Sequence, residues 1–117
     1  MLSLKRTYIW FFSRLISKID LLKVDPKLIS EFGAVSNEVC SDMSANLIKL
    51  HPNIDISISV SGIAGPNSDD SQKEVGLVYI SISNKTDTIC NEFQFGNIGR
   101  ENVRNQTLFE AISMCIE

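Results

Sequence analysis

Six consecutive residues, Ser61-Gly62-Ile63-Ala64-Gly65-Pro66, join a hydroxyl, two glycines and a proline at the end of an alternating apolar run, Ile54, Ile56, Ile58 and Val60. A strand that ends in this way can present backbone N–H groups to an anion or a carbonyl. The glycines permit close backbone approach and positive φ, and Pro66 stiffens the exit. The same residues also fit an ordinary tight connection between two strands, and the residues alone leave both readings open. Arg100 and Arg104 lie four apart, so a helix places them on one face, with Glu101 weakening the local positive field. They read either as a cationic pair facing a ligand or as surface helix arginines. Ser36 and Asn37 read as helix-capping chemistry, not catalysis.

The composition limits the function classes. The chain has 117 residues, 44% hydrophobic and 21% charged, which suits one globular domain, 1–117, with one core. A net charge of −3 without a basic cluster argues against nucleic acid as a partner. Cys40, Cys90 and Cys115 are widely spaced, no Cys-x-x-Cys pair exists, and His51 is the single histidine. No metal and no organic cofactor is implied by that spacing. The cysteines read as buried thiols in a reducing cytoplasm. Lys5 and Arg6 precede Tyr8-Ile9-Trp10-Phe11-Phe12 in a faint signal-peptide pattern. Ser13 and Arg14 break the apolar run, no small-residue cleavage site follows, and the run is too short to span a bilayer. A cytoplasmic protein without membrane attachment is expected.

These residues need elements to position them. Tyr8 to Phe12 reads as a short aromatic strand or a poorly packed remnant, and Arg14 to Lys23 has the apolar spacing of a helix. Pro26 opens a short helix through Phe32, and Gly33 breaks it. Ser36 caps a helix reaching about Leu50, with Val39, Met43, Leu47 and Leu50 on its inward face. The strict alternation from Ile54 to Val60 predicts a strand with one buried face. Val75–Ser83 and Thr88–Phe95 read as an antiparallel hairpin across Asn84-Lys85-Thr86-Asp87. Arg100 to Cys115 is the final helix, with Val103, Leu108, Ala111, Ile112 and Cys115 inward. The order predicts an α/β fold, a three-layer α/β/α sandwich with a mixed sheet.

Read together, several segments resemble the CinA C-terminal domain family. Ser61-Gly62-Ile63-Ala64-Gly65-Pro66, followed by Lys73 and Val75-Gly76-Leu77-Val78-Tyr79-Ile80, is similar to its "VTGIAGP" loop and the strand beyond. Gly33-Ala34-Val35-Ser36-Asn37-Glu38-Val39 resembles its "GAVSEEVA" helix entry, Lys18-Ile19-Asp20-Leu21-Leu22-Lys23-Val24 its "KxxLLGV" segment, and Gly99-Arg100-Glu101-Asn102-Val103-Arg104 its "GxRxxVR" segment. The resemblance runs from Lys18 to Glu117 in the family's order.

Active members of that family are nicotinamide mononucleotide deamidases. The resemblance therefore implies amide hydrolysis of a nicotinamide ribonucleotide to the acid and ammonia, with nicotinamide mononucleotide as the small-molecule partner. Such chemistry needs a nucleophile, a base and oxyanion donors. In the family an "ESxTGG" serine is the nucleophile and a lysine in "TYSNxxK" the base. Lys18 stands in the register of that lysine, and a solvated helix lysine is the other reading of it. Where "TYSN" would stand, this chain has Phe12-Ser13-Arg14-Leu15, and no segment resembles "ESxTGG". Residues 1–17 diverge from the family, the segment carrying the nucleophile is expected to be missing, and activity is expected to be impaired. Ser61 takes the register of the family's threonine, keeps its hydroxyl and stands with Lys18 as a candidate catalytic residue. Gly62 and Gly65 can supply backbone donors, and Arg100 and Arg104 can hold a phosphate. Asn67-Ser68-Asp69-Asp70 replaces the family's glycine-rich loop, and its carboxylates would repel a phosphate. A missing strand would expose a sheet edge, so low stability or a homo-oligomer is expected. The alternative is a non-catalytic nucleotide-binding or assembly module.

Overall fold

The computed structural model describes residues 23–63 and 73–116. The strand expected at Tyr8–Phe12 lies outside the described residues, as does all but the last residue of the helix expected from Arg14. The first described helix, α1 (Pro26–Phe32), is capped by Asp25, whose carboxylate accepts the Lys27 N–H at 2.9 Å. Gly33 closes it at φ 86°, and its N–H donates to the Ile29 carbonyl. Helix α2 (Asn37–Leu50) begins at Ser36. The buried Ser36 hydroxyl accepts the Val39 N–H at 3.2 Å and donates to the Gly33 carbonyl at 2.8 Å, and Glu38 occupies the first turn. Ser36→Ala removes both bonds and is expected to lower stability by about 1–2 kcal/mol. The check is a lower urea midpoint with an unchanged slope.

Strands β1 (Ser57–Gly62), β2 (Leu77–Ser83) and β3 (Thr88–Gln94) form a sheet in that order. The hairpin between β2 and β3 is antiparallel as expected, and its turn is set by Asn84, whose side-chain oxygen accepts the N–H groups of Thr86 and Asp87 at 2.8 and 2.7 Å. The pairing of β1 with β2 is also antiparallel. The described strands thus contain no parallel pair, where a mixed sheet was expected: the bonds from the Ile63 N–H to the Leu77 carbonyl and from the Gly76 N–H to the Ile63 carbonyl start β2 directly back along β1. Helix α2 lies on one face of the sheet and α3 (Arg100–Ile116) on the other, so the fold is α/β with a helical layer on each side. Among the described residues no helix is long and apolar enough to cross a membrane.

The inward face of β1 differs from the expectation. Ile58 and Val60 are each 42% exposed, while Ser57, Ser59 and Ser61 are buried at 4%, 8% and 4%. Hydrogen bonding explains the reversal. The serines face α2 and donate to carbonyls on it or just before it: Ser57 to Ser44 at 2.6 Å, Ser59 to Cys40 at 2.6 Å, and Ser61 to Ala34 at 2.7 Å. On β2, Ser81 and Ser83 face the same helix, each 2.7 Å from the Ser44 hydroxyl. Small side chains let α2 approach the sheet closely, and among the described residues no buried side-chain nitrogen or oxygen lacks a partner.

The opposite face is apolar. Val78 and Ile80 of β2 pack with Val103 and Ala111 of α3, supported by Phe93, Phe95 and Met114. Leu108 and Ile112, expected inward, are 61% and 52% exposed, and Leu50 at the end of α2 is 41% exposed. The reason is where α3 sits: it meets β2 through Val103 and Ala111, and its next row of side chains stands over the apolar side of β1. An open groove of about 600 Å³ separates them, lined by Ile58, Val60, Leu108, Ile112 and Ile116.

Candidate functional site

The glycine-rich segment begins where β1 ends. Ile63 donates its N–H to the Leu77 carbonyl at 2.9 Å, and the Gly76 N–H returns to the Ile63 carbonyl at 2.7 Å. The chain therefore leaves the sheet at Ile63 and rejoins it at Gly76, with both ends fixed to each other. Val35, Ile63 and Leu77 form a small buried cluster under this junction. Gly76 has φ 93°, and the Phe95 N–H donates to its carbonyl at 2.9 Å. A Cβ at Gly76 would stand 2.6 Å from the Gly96 carbonyl carbon, so the β2 entry and the β3 exit touch backbone to backbone.

The loop between α1 and α2 is tied to the same junction. Lys73 donates from its ammonium to the Phe32 carbonyl at 2.8 Å and to the Val35 carbonyl. Ser61 donates to Ala34 from the sheet side, and Ser36 to Gly33 from the helix side. Sequence reading attached Lys73 to the motif without giving it a task. Its structural task is to clip this loop to the base of the segment that follows Ile63.

The expected site residues separate by face. Ser61 points toward α2 with its hydroxyl proton donated to a backbone carbonyl, and it is buried. Gly62 lies on the other face and lines the apolar groove, as does Arg104. Since the Ile63 N–H is directed to β2, strand alternation turns the Gly62 N–H to the side of β1 away from β2. A Cβ on Gly62 would stand 2.8 Å from Val78 Cγ2, so glycine at this position serves close packing. Arg100 is exposed at the first position of α3, one turn before Arg104. Lys18 and Gly65 lie outside the described residues, as do Asp69 and Asp70. The structure thus sets Gly62 and Arg104 along one groove and Ser61 on the opposite side of the sheet.

Tyr79 stands across the β1–β2 ladder from Ser61. Burial, then its 2.7 Å hydrogen bond to Glu92 and the charges of Glu92, Glu38 and Cys90, pushes its phenol up to about 12. It is a locked donor at neutral pH, not a base for Ser61. No cluster of three or more His, Cys, Asp or Glu side chains is placed to hold a metal ion among the described residues.

The family model for the CinA C-terminal domain matches residues 10–117. A CinA-like protein of Prochlorococcus marinus strain MIT 9215 is 41% identical over 99 residues, which is 85% of this chain and 23% of that protein. A CinA-like protein of Endomicrobium trichonymphae is 38% identical over 98 residues, 84% of this chain and 22% of that protein. The chain therefore spans less than a quarter of the length of the curated relatives it matches. Among solved structures, the competence/damage inducible protein CihA from Agrobacterium tumefaciens has a TM-score of 0.83 at 29% identity, over 90% of this chain and 64% of that one. The competence or damage-inducible protein from Enterobacter asburiae has a TM-score of 0.81 at 24% identity, over 87% and 63%, a likeness of fold.

Proposed function

Since the chain belongs to the CinA C-terminal domain family, we propose that it is a cytoplasmic, nucleotide-binding relative of the nicotinamide-nucleotide amidohydrolases, with nicotinamide mononucleotide as its ligand. The observation that carries this reading is that Gly62 and Arg104 line the same groove, with Arg100 one turn before Arg104 on the same helix. A guanidinium there can hold a phosphate in bidentate fashion. The Gly62 N–H and the backbone around Gly65 would offer donors to the rest of the ligand.

Ser61 has a positioning role in this account. Its proton goes to the Ala34 carbonyl, and a carbonyl cannot take up a proton as a general base does. It holds the loop of residues 33–36 against the sheet, and Lys73 holds the same loop from the other end. Turnover would then rest on Lys18 as the base, together with a nucleophile other than Ser61. A second reading, binding without hydrolysis, is favoured by the same committed hydroxyl. An ammonia-release assay with nicotinamide mononucleotide separates the two. Release that disappears in Lys18→Ala supports the hydrolase; release unchanged in that variant removes Lys18 from the mechanism. No release from a folded preparation that still binds the nucleotide supports the binding module.

A further inference from the structure

Cys90 on β3 stands directly opposite Ser81 on β2, and opposite residues in an antiparallel ladder share a face. Ser81 is bonded to Ser44 of α2, so Cys90 faces α2 as well. Cys40 lies one turn before Ser44 on that helix and is wholly enclosed. Both thiols therefore lie between α2 and the sheet. Cys90 keeps partial exposure, whereas Cys40 reaches no solvent. Around Cys40 stand the Ser59 and Tyr79 carbonyls and the Ser59 hydroxyl, each 3.4 Å from its sulfur. The Cys90 thiol is lowered from 9.0 to about 7, first by the Cys40 hydrogen bond and then by Ser41, against burial and the charge of Glu38.

We propose that Cys40 and Cys90 form an oxidation-responsive pair that closes an intrachain disulfide between α2 and β3 when the chain meets hydrogen peroxide. The division of labour follows from access. Cys90, the reachable sulfur, attacks one peroxide oxygen as the thiolate; the O–O bond breaks, and the released hydroxide takes a proton to leave as water. Cys90 is then a sulfenic acid. Cys40, on the helix that faces β3, attacks that sulfur; the S–O bond breaks, and the departing hydroxide takes the Cys40 proton to form a second water. Two thiols and one peroxide give one disulfide and two waters. The crosslink ties β3 to the helix covering the other two strands, and it closes a loop of almost half the chain, Cys40 to Cys90. Cys115, on α3 on the other side of the sheet, takes no part.

The test uses the reduced, folded full chain, checked by circular dichroism before treatment. After exposure to hydrogen peroxide the remaining thiols are alkylated and the digest is analysed by mass spectrometry. Expected is a linked peptide pair containing Cys40 and Cys90, lighter than the two reduced peptides by two hydrogens. Dithiothreitol should reverse it, Cys115 should remain alkylated, and the chain should stay monomeric in mass under denaturing, non-reducing conditions. The oxidised form should unfold at a higher urea concentration than the reduced form. Cys90→Ser should leave Cys40 fully alkylatable after denaturation. Sulfinic acid at Cys90 with Cys40 still a thiol, links between chains in place of the internal one, oxidation of Cys40 in Cys90→Ser, or no oxidation at all would each overturn the proposal.

Discussion

Gly76→Ala is expected to lower stability by about 3 kcal/mol and to abolish ligand binding with it. At φ 93° an L side chain is strained, by about 1–2 kcal/mol in the left-handed region. The larger problem is contact. The added methyl would stand 2.6 Å from the Gly96 carbonyl carbon, and backbone cannot escape by changing rotamer. Both segments are held in place: Gly76 donates to Ile63 and accepts from Phe95. Relief means separating the entry of β2 from the exit of β3 and losing bonds at about 1 kcal/mol each. Those bonds also fix the two ends of the segment between Ile63 and Lys73, so the damage reaches the candidate site. Urea unfolding measures the first effect. A loss below about 1 kcal/mol would mean that the two backbones are not in contact.

Ser44→Ala is expected to cost about 2 kcal/mol, although it deletes a single oxygen. That oxygen lies 2.7 Å from both Ser81 and Ser83 on the sheet. Ser83 keeps Thr88 as a partner at 2.7 Å, but the Ser81 hydroxyl is left buried without its bond. The double variant Ser44→Ala with Ser81→Ala should therefore be less destabilised than the sum of the two singles, because no orphaned hydroxyl remains. Strict additivity within about 0.5 kcal/mol would show that the two hydroxyls are not coupled across the interface.

The helices were legible because their ends are written in local chemistry. Asp25-Pro26, Gly33, Ser36 with Glu38, and His51-Pro52 mark starts and stops that depend on neighbours in sequence, and α1 and α2 begin and end there. Period-two alternation located β1, and an apolar run on one side of the Asn84–Asp87 turn with a third strand on the other located β2 and β3. Alternation does not decide which face turns inward, and hydrophobicity chose the wrong face for β1. The signal for the right one was present as a match between two elements: Ser57, Ser59 and Ser61 alternate on the strand, while Ser36, Cys40 and Ser44 recur every fourth residue at and along α2. Two rows of small side chains can approach until hydroxyls reach carbonyls. Leu108 and Ile112 were misplaced for a related reason: helical spacing identifies an apolar stripe, but its distance from the sheet depends on how α3 is docked. At the site, the motif marked the right junction, but the faces of Ser61 and Gly62 and the clip made by Lys73 depend on contacts between residues far apart in sequence.

The central claim is that the end of β1 and the start of α3 together bind a nicotinamide ribonucleotide. The most direct measurement is a calorimetric titration of the folded chain with nicotinamide mononucleotide, repeated with Arg104→Ala. The account predicts saturable binding that weakens about tenfold or more in the variant, whose unfolding midpoint should be unchanged because Arg104 is exposed. No heat at millimolar nucleotide, or equal affinity in both proteins, would contradict it.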